Sequence, residues 1–201
     1  AEAGRVELSM TPYAHPIVPL LLDPNTAREA MPEITMPRYA AYPGGRDRVD
    51  WHIREGLQTF EQYFGHRPSG CWPSEGGVST ATLGILEQHG FRWAASGESV
   101  FRHSMNHKAN RGKQDASLYQ AFRLDGGELS CFFRDDGLSD LIGFTYSDWH
   151  ADDAVANLIQ HLENIATSTQ VFPKGTGIID TIKRLVQDAL PDVGLEGALF
   201  D

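Results

Sequence analysis

The sequence contains little cysteine and has a deficit of positive charge. Two cysteines in 201 residues, Cys71 and Cys131, are too few for a disulfide scaffold, and neither stands in a metal-binding spacing. We therefore predict that both thiols are buried and free. Lys and Arg number 17 against 27 Asp and Glu, which leaves a net charge of -10. This balance disfavours nucleic acid and anionic membranes as partners, because phosphate binding needs clustered Lys and Arg.

The sequence also lacks a long apolar run and a leader. No apolar stretch is long enough to cross a bilayer, and the opening Ala-Glu-Ala-Gly-Arg has no signal-peptide character. These absences favour a cytoplasmic protein without a membrane partner. Residues 5–10 alternate in polarity almost from the first position, so we expect the chain to be part of a longer protein.

The composition that remains is typical of a globular domain. Hydrophobic residues make up 41% and charged residues 22%, and 201 residues can bury a core. Aromatic residues reach 10%, with four Trp, so ring surfaces are available for stacking on sugars. A neutral, polyhydroxylated ligand is compatible with this acidic chain.

Polarity patterns and turn residues predict the strands and loops. Strands are predicted over 5–10, over 91–95, and as a hairpin over 119–124 and 129–134 around Asp125-Gly126-Gly127. Loops are predicted over 23–46, where prolines break any helix, and over 98–117, which is polar and irregular. An acidic turn is predicted over 135–140, followed by a short strand or helical turn over 141–146.

Apolar residues at spacings of three and four predict four helices. They cover Val49 to Phe64 with Gly65 at the end, Ser79 to His89 with Ser79 as the cap, 155–165, and 182–189. The alternation of strands and helices predicts an α/β fold with a largely parallel sheet. The chain is too short for a complete eight-unit barrel, which takes about 250 residues.

The segment Gly70 to Gly77 is the strongest candidate for a functional loop. It places Glu75 three residues after Trp72, between Pro and Gly residues that suit a loop at a strand end. A nearby indole can desolvate a carboxyl group or stack on a sugar ring, and the glycines allow close approach of a substrate. The alternative interpretation is a turn that carries an exposed Glu.

Two further groups contain candidate residues. Asp135, Asp136 and Asp140 lie beside Arg134, and such a cluster can be a catalytic site, a cation site or a solvated turn. Carboxylates on two separate elements indicate glycoside hydrolysis, with one nucleophile and one acid/base. His15, in a Pro-rich loop, is a candidate ligand for a substrate hydroxyl or a metal, or a structural residue.

Three segments together resemble glycoside hydrolase family 57, the α-amylase and amylopullulanase group. They are Glu7 to Leu21, Gly70 to Gly76 and Phe133 to Phe144. The resemblance implies an incomplete seven-stranded (β/α) barrel that hydrolyses or transfers α-glucosidic bonds with retention, without a metal or cofactor. It implies that Glu75 is the nucleophile and that Trp72 and His15 line the sugar site.

The chain departs from the family pattern at both ends. The initial His-Gln-Pro motif and the Asp-Gly-Glu-Asn segment are absent, so the acid/base is either Asp135, by motif density, or Asp180, by position. We take Asp135 as the second catalytic residue, with Glu7 and Asp136 as further substrate-binding residues. The predicted domains are a partial barrel over 1–166 and a C-terminal helical segment over 167–201.

Two other functions stay open at this point. A metal-dependent carbohydrate deacetylase has a similar barrel layout and needs an Asp and two His around one cation, for which His15 is a candidate. A non-catalytic glucan-binding chain would keep the stacking Trp without the acid. The predicted partner in the main interpretation is an α-glucan substrate.

Overall fold

The computed structural model contains a mixed four-stranded sheet in the order β1-β2-β4-β3. Neighbouring strands β1 and β2 are parallel, as are β2 and β4, whereas β3 pairs antiparallel with β4. The predicted α/β class is therefore confirmed, but the sheet is not purely parallel. The strands are β1 (Gly70–Cys71), β2 (Trp93–Gly97), β3 (Phe122–Arg123) and β4 (Ser130–Arg134).

The structure describes residues 6–39, 41–106, 118–123 and 126–169. The chain divides into two compact units, Ala1–Arg134 and Asp135–Asp201, which we describe separately. The fourth predicted helix, over 182–189, lies outside the described residues. No helix among the described residues is both long and apolar enough to cross a membrane.

The described residues of the first unit form five helices. The longest, α3, buries one face through Val49, Ile53, Leu57 and Phe60, as the spacing predicts, and ends where Gly65 turns left-handed. The Ser79 hydroxyl accepts the Thr82 amide and caps α4. These helices are α1 (Val18–Leu22), α2 (Ala27–Ala30), α3 (Gly45–Phe64), α4 (Thr80–Gln88) and α5 (Glu98–Asn106).

The core of the first unit lies between α3, α4 and the sheet. Ile53 and Leu86 are almost completely buried, and they belong to one apolar cluster with Cys71 and Ala94. Cys71 and Cys131 pair with Ala94 from opposite sides, so two strand spacings of about 4.8 Å separate them. That separation is too large for a disulfide. Both thiols are free and buried, as predicted.

Several predictions in the first unit are wrong. In the predicted strand over 5–10, only Met10 among described residues joins the sheet, as a single parallel bridge to Cys71. Residues 98–106 form α5 instead of a loop, because Phe101 is buried and Arg102 pairs with Glu98 one turn away. The predicted loop over 23–46 contains the short helix α2 and a 3-10 turn at Pro24–Thr26.

The second unit begins at a helix cap. Asp135 accepts the Leu138 amide through its carboxylate at 2.8 Å and starts α6 (Asp136–Gly143). The predicted acidic turn is therefore the first turn of a helix, where carboxylates favour the exposed amides. A 3-10 turn at Thr145–Asp148 follows, and then α7 (Ala151–Thr169), which confirms the helix predicted over 155–165.

Candidate active site

Glu75 lies in the loop that leaves the carboxyl end of β1. The backbone turns sharply here, with the Gly76 amide donating to the Pro73 carbonyl at 2.8 Å. Glu75 adopts a φ of 55°, in the left-handed region that non-glycine residues rarely occupy. Its side chain is 76% exposed.

His15 lies beside Glu75. The imidazole Nε2 is 3.9 Å from Glu75 Oε1, and the His15 side chain is 52% exposed. His15 and the preceding Ala14 both have a φ of 57°. The structure thus brings two of the predicted site residues together, and all three non-glycine residues with positive φ among the described residues lie at this site. Strained backbone of this kind is common where side chains must be positioned for function.

Trp72 is half-buried three residues before Glu75. The Arg134 guanidinium lies over the Trp72 ring, 5.4 Å from its centroid. A cation–π contact of this type holds the indole in place and covers one of its faces. Sequence reasoning did not identify this contact. The only sequence signal was the positive charge of Arg134 at the end of a predicted strand.

Glu7 lies at the opposite end of the parallel strands. Its carboxylate accepts the indole N–H of Trp93, the first residue of β2, at 2.9 Å. It lines a cavity of about 480 Å³ together with Phe132, Arg123 and Glu128. The structure therefore does not bring Glu7 to Glu75, and its predicted substrate-binding role has no geometric connection with this site.

The remaining predicted site residues belong to the second unit. Asp135 is half-buried and serves as the cap of α6, and Asp136 lies in the first turn of that helix. Asp180, the alternative acid/base, lies outside the described residues. The capping bond gives Asp135 a structural role that does not depend on catalysis.

The arrangement offers no metal centre in the part of the chain that is described. Over those ranges, no three His, Cys, Asp or Glu side chains come close enough together to hold one ion. The cysteines are not nucleophiles either, because burial raises the pKa of Cys71 to about 12 and that of Cys131 to about 11.

Comparison with known proteins identifies the family. The model of glycosyl hydrolase family 57 matches residues 1–179. No curated protein matches this chain. A similar solved structure is the GH57-type branching enzyme from the hyperthermophilic archaeon Pyrococcus horikoshii, with 19% identity and a TM-score of 0.42.

The structural match covers only part of each protein. It covers 68% of this chain and 23% of the branching enzyme, so the chain spans less than a quarter of that relative. The family match covers most of the chain, so the chain belongs to glycosyl hydrolase family 57, and the predicted membership of a glycoside hydrolase family is confirmed.

Proposed function

We propose that this chain carries the nucleophile of a retaining glycoside hydrolase or transglycosylase that acts on α-glucans, and that Glu75 is that nucleophile. The observation that carries the proposal is the exposed Glu75 carboxylate beside His15 at the carboxyl end of parallel strands. In barrels built from such strands, catalytic groups lie at this end. Family membership supplies the reaction class.

The proposed reaction has two steps. A Glu75 oxygen attacks the anomeric carbon while the bond from that carbon to the leaving oxygen breaks, and an acid protonates the departing sugar. Water or another sugar hydroxyl then attacks the anomeric carbon and gives its proton to the residue that acted as the acid, while the bond from that carbon to the Glu75 oxygen breaks and the carboxylate is released. The His15 imidazole, 3.9 Å from that carboxylate, is placed to contact a substrate hydroxyl at the reacting sugar.

The acid/base assignment is the second part of the proposal. Asp135 follows directly on Arg134, the last residue of β4, and β4 runs parallel to β2. Catalytic groups lie at the carboxyl ends of parallel strands, and this position favours Asp135 as the acid/base over the other carboxylates of the motif. We propose Asp136 as a substrate ligand. Asp180 is the alternative, and a retaining mechanism requires the true partner at about 5–5.5 Å from Glu75.

The substrate class rests on the aromatic and acidic character of the chain. Trp72 is half-buried three residues before Glu75, and an indole face stacks well on a pyranose ring. We further propose that residues 1–166 belong to an incomplete (β/α)7-type barrel followed by a helical segment over 167–201. We also propose that the protein is located in the cytoplasm.

Substitution of the nucleophile tests the function. Glu75→Gln should lower turnover of a maltooligosaccharide by about 10³-fold or more, because an amide cannot form the glycosyl-enzyme. Glu61→Gln is the matched control, since Glu61 is an exposed carboxylate on α3 and its loss should leave turnover unchanged. Unchanged turnover in Glu75→Gln contradicts the proposal.

Two other results would favour the alternative functions. Oligosaccharide binding by the unsubstituted chain without any turnover supports a glucan-binding role. A stoichiometric transition metal in the purified protein, with release of acetate from an acetylated sugar, supports a deacetylase. The described residues give the deacetylase no support, because His15 has only Glu75 as a neighbouring metal-binding side chain among them.

A further inference from the structure

We propose that Ser96 is a positioning residue that holds the Glu75 loop in its left-handed conformation and thereby aims the Glu75 carboxylate. The catalytic part of this inference rests on the proposed role of Glu75, whereas the conformational part does not. Sequence reasoning gave Ser96 no role. The structure places it on β2, next to the strand that leads into the loop.

The loop needs an external restraint. Glu75 and Gly76 follow each other at φ values of 55° and 66°. Glycine adopts this conformation without steric cost, but Glu75 does so against the clash of its Cβ with the backbone. The Glu75 side chain is 76% exposed, so most of its surface makes no contact that could supply that restraint. The restraint has to come from the backbone that follows.

Ser96 supplies a buried hydrogen bond to that backbone. Its hydroxyl donates to the Gly76 carbonyl oxygen at 2.6 Å, and the Ser96 residue is 0% exposed. Without this donor the buried carbonyl would lose its partner, which is unfavourable in an interior that excludes water. The bond therefore attaches the residue directly after Glu75 to the sheet.

Close packing reinforces the bond. A Cβ placed on Gly76 would lie 3.4 Å from the Gly97 amide nitrogen and 3.6 Å from Ser96 Oγ, so the loop backbone rests against the end of β2. Strand β2 is paired on both sides, with β1 and with β4. The loop is thus attached to an interior strand of the sheet. Because Gly76 directly follows Glu75, loss of the Ser96 hydrogen bond would alter the backbone next to Glu75.

A thermal double-mutant cycle tests the conformational part without any need for activity. Glu75→Gly should raise the melting temperature by about 3 °C in the unsubstituted chain, because Gly relieves the left-handed strain. In a Ser96→Ala background the loop can relax, so the same change should give no rise. Equal shifts in both backgrounds would overturn the inference, since independent sites are additive.

Steady-state kinetics test the catalytic part. Ser96→Ala should lower kcat for a maltooligosaccharide by about 100-fold, the order expected when a reacting group moves by about 1 Å, with KM unchanged. Thr82→Val is the control, because Thr82 is also a buried hydroxyl with a hydrogen bond, to Ser79, away from the Gly76 carbonyl. It should lower the melting temperature and leave kcat unchanged.

The outcomes separate this inference from the proposed function. An unchanged kcat in Ser96→Ala, in a protein that Glu75→Gln inactivates, overturns the positioning role while the nucleophile stands. A rise in KM with an unchanged kcat in Ser96→Ala overturns it as well. So does an equal loss of kcat in Ser96→Ala and Thr82→Val. If Glu75→Gln keeps full turnover, the proposed function fails, and the thermal cycle still decides whether Ser96 holds the loop.

Discussion

Two histidine–carboxylate pairs in the first unit differ in almost every physical respect. His89 Nε2 and Asp50 Oδ1 lie 2.9 Å apart, both side chains are largely buried, and Arg46 adds a second bond to Asp50 at 3.0 Å. His15 and Glu75 lie 3.9 Å apart, both are exposed, and both have left-handed backbone. The first pair joins two helices in relaxed geometry; the second pair is held open to solvent by strained loops.

The comparison shows what distinguishes a structural pair from a candidate catalytic one. The hydrogen bond from His89 lowers the pKa of Asp50 below 3.8. Both carboxylate oxygens of Asp50 already have protein partners, Oδ1 with His89 and Oδ2 with Arg46. The Glu75 carboxylate keeps its surface for a ligand. A cavity of about 480 Å³ lies at the other end of the strands and is lined by Glu7, so it is separate from the His15–Glu75 pair.

Loss of each histidine should separate the two pairs most clearly. His15→Ala should lower kcat/KM by about 100-fold if His15 makes the proposed contact with the reacting sugar, with little effect on stability. His89→Ala should leave kcat/KM within about twofold and lower the melting temperature. Activity assays and thermal unfolding of both variants measure this. The distinction breaks down if the two substitutions affect turnover equally.

Acid should weaken the structural pair. The pKa of Asp50 is lowered in the folded state, so its contribution to stability is complete above the ordinary value of 3.8 and is lost as pH falls through the lower folded value. Asp50→Asn should cost about 1 kcal/mol at pH 7 and should flatten the loss of stability in this acidic range. Urea unfolding at pH 7 and below pH 4 provides the measurement. If Asp50→Asn and the unsubstituted protein lose the same free energy of unfolding between these two pH values, the prediction is contradicted.

Relief of backbone strain should give the smallest effect. Ala14→Gly, at a φ of 57°, should raise the free energy of unfolding by about 0.5 kcal/mol, because Gly adopts this region freely. Ala81→Gly, at an exposed position of α4, should lower it by about 1 kcal/mol. Chemical denaturation of both variants measures these two changes in the free energy of unfolding, which should have opposite signs. A fall in both variants would mean that Ala14 is not strained.

Local patterns predicted the parts of the fold that depend on neighbours in sequence. The helix α3 with its Gly65 end and the Ser79 cap of α4 follow from spacing and capping chemistry, and the structure confirms them. The hairpin of β3 and β4 follows from the Asp-Gly-Gly turn, although Asp125 itself lies outside the described residues. These features need no knowledge of the rest of the chain.

The missed features depend on partners elsewhere in the chain. Residues 98–106 look polar and irregular, but the burial of Phe101 stabilises them as α5. The alternation over 5–10 suggested a strand, yet among described residues only Met10 finds backbone partners, at Gly70 and Trp72. Asp135 looked like part of a turn because its role as a cap depends on α6 beginning at the next residue.

The sequence by itself determined the helices with clear periodicity, the free thiols and the resemblance to family 57, because residue order and spacing carry that information. Only the tertiary structure decided that His15 meets Glu75, that Arg134 covers Trp72, and that Ser96 holds Gly76. These contacts join residues far apart in the chain. They depend on the pairing of β1, β2 and β4, which local sequence does not encode.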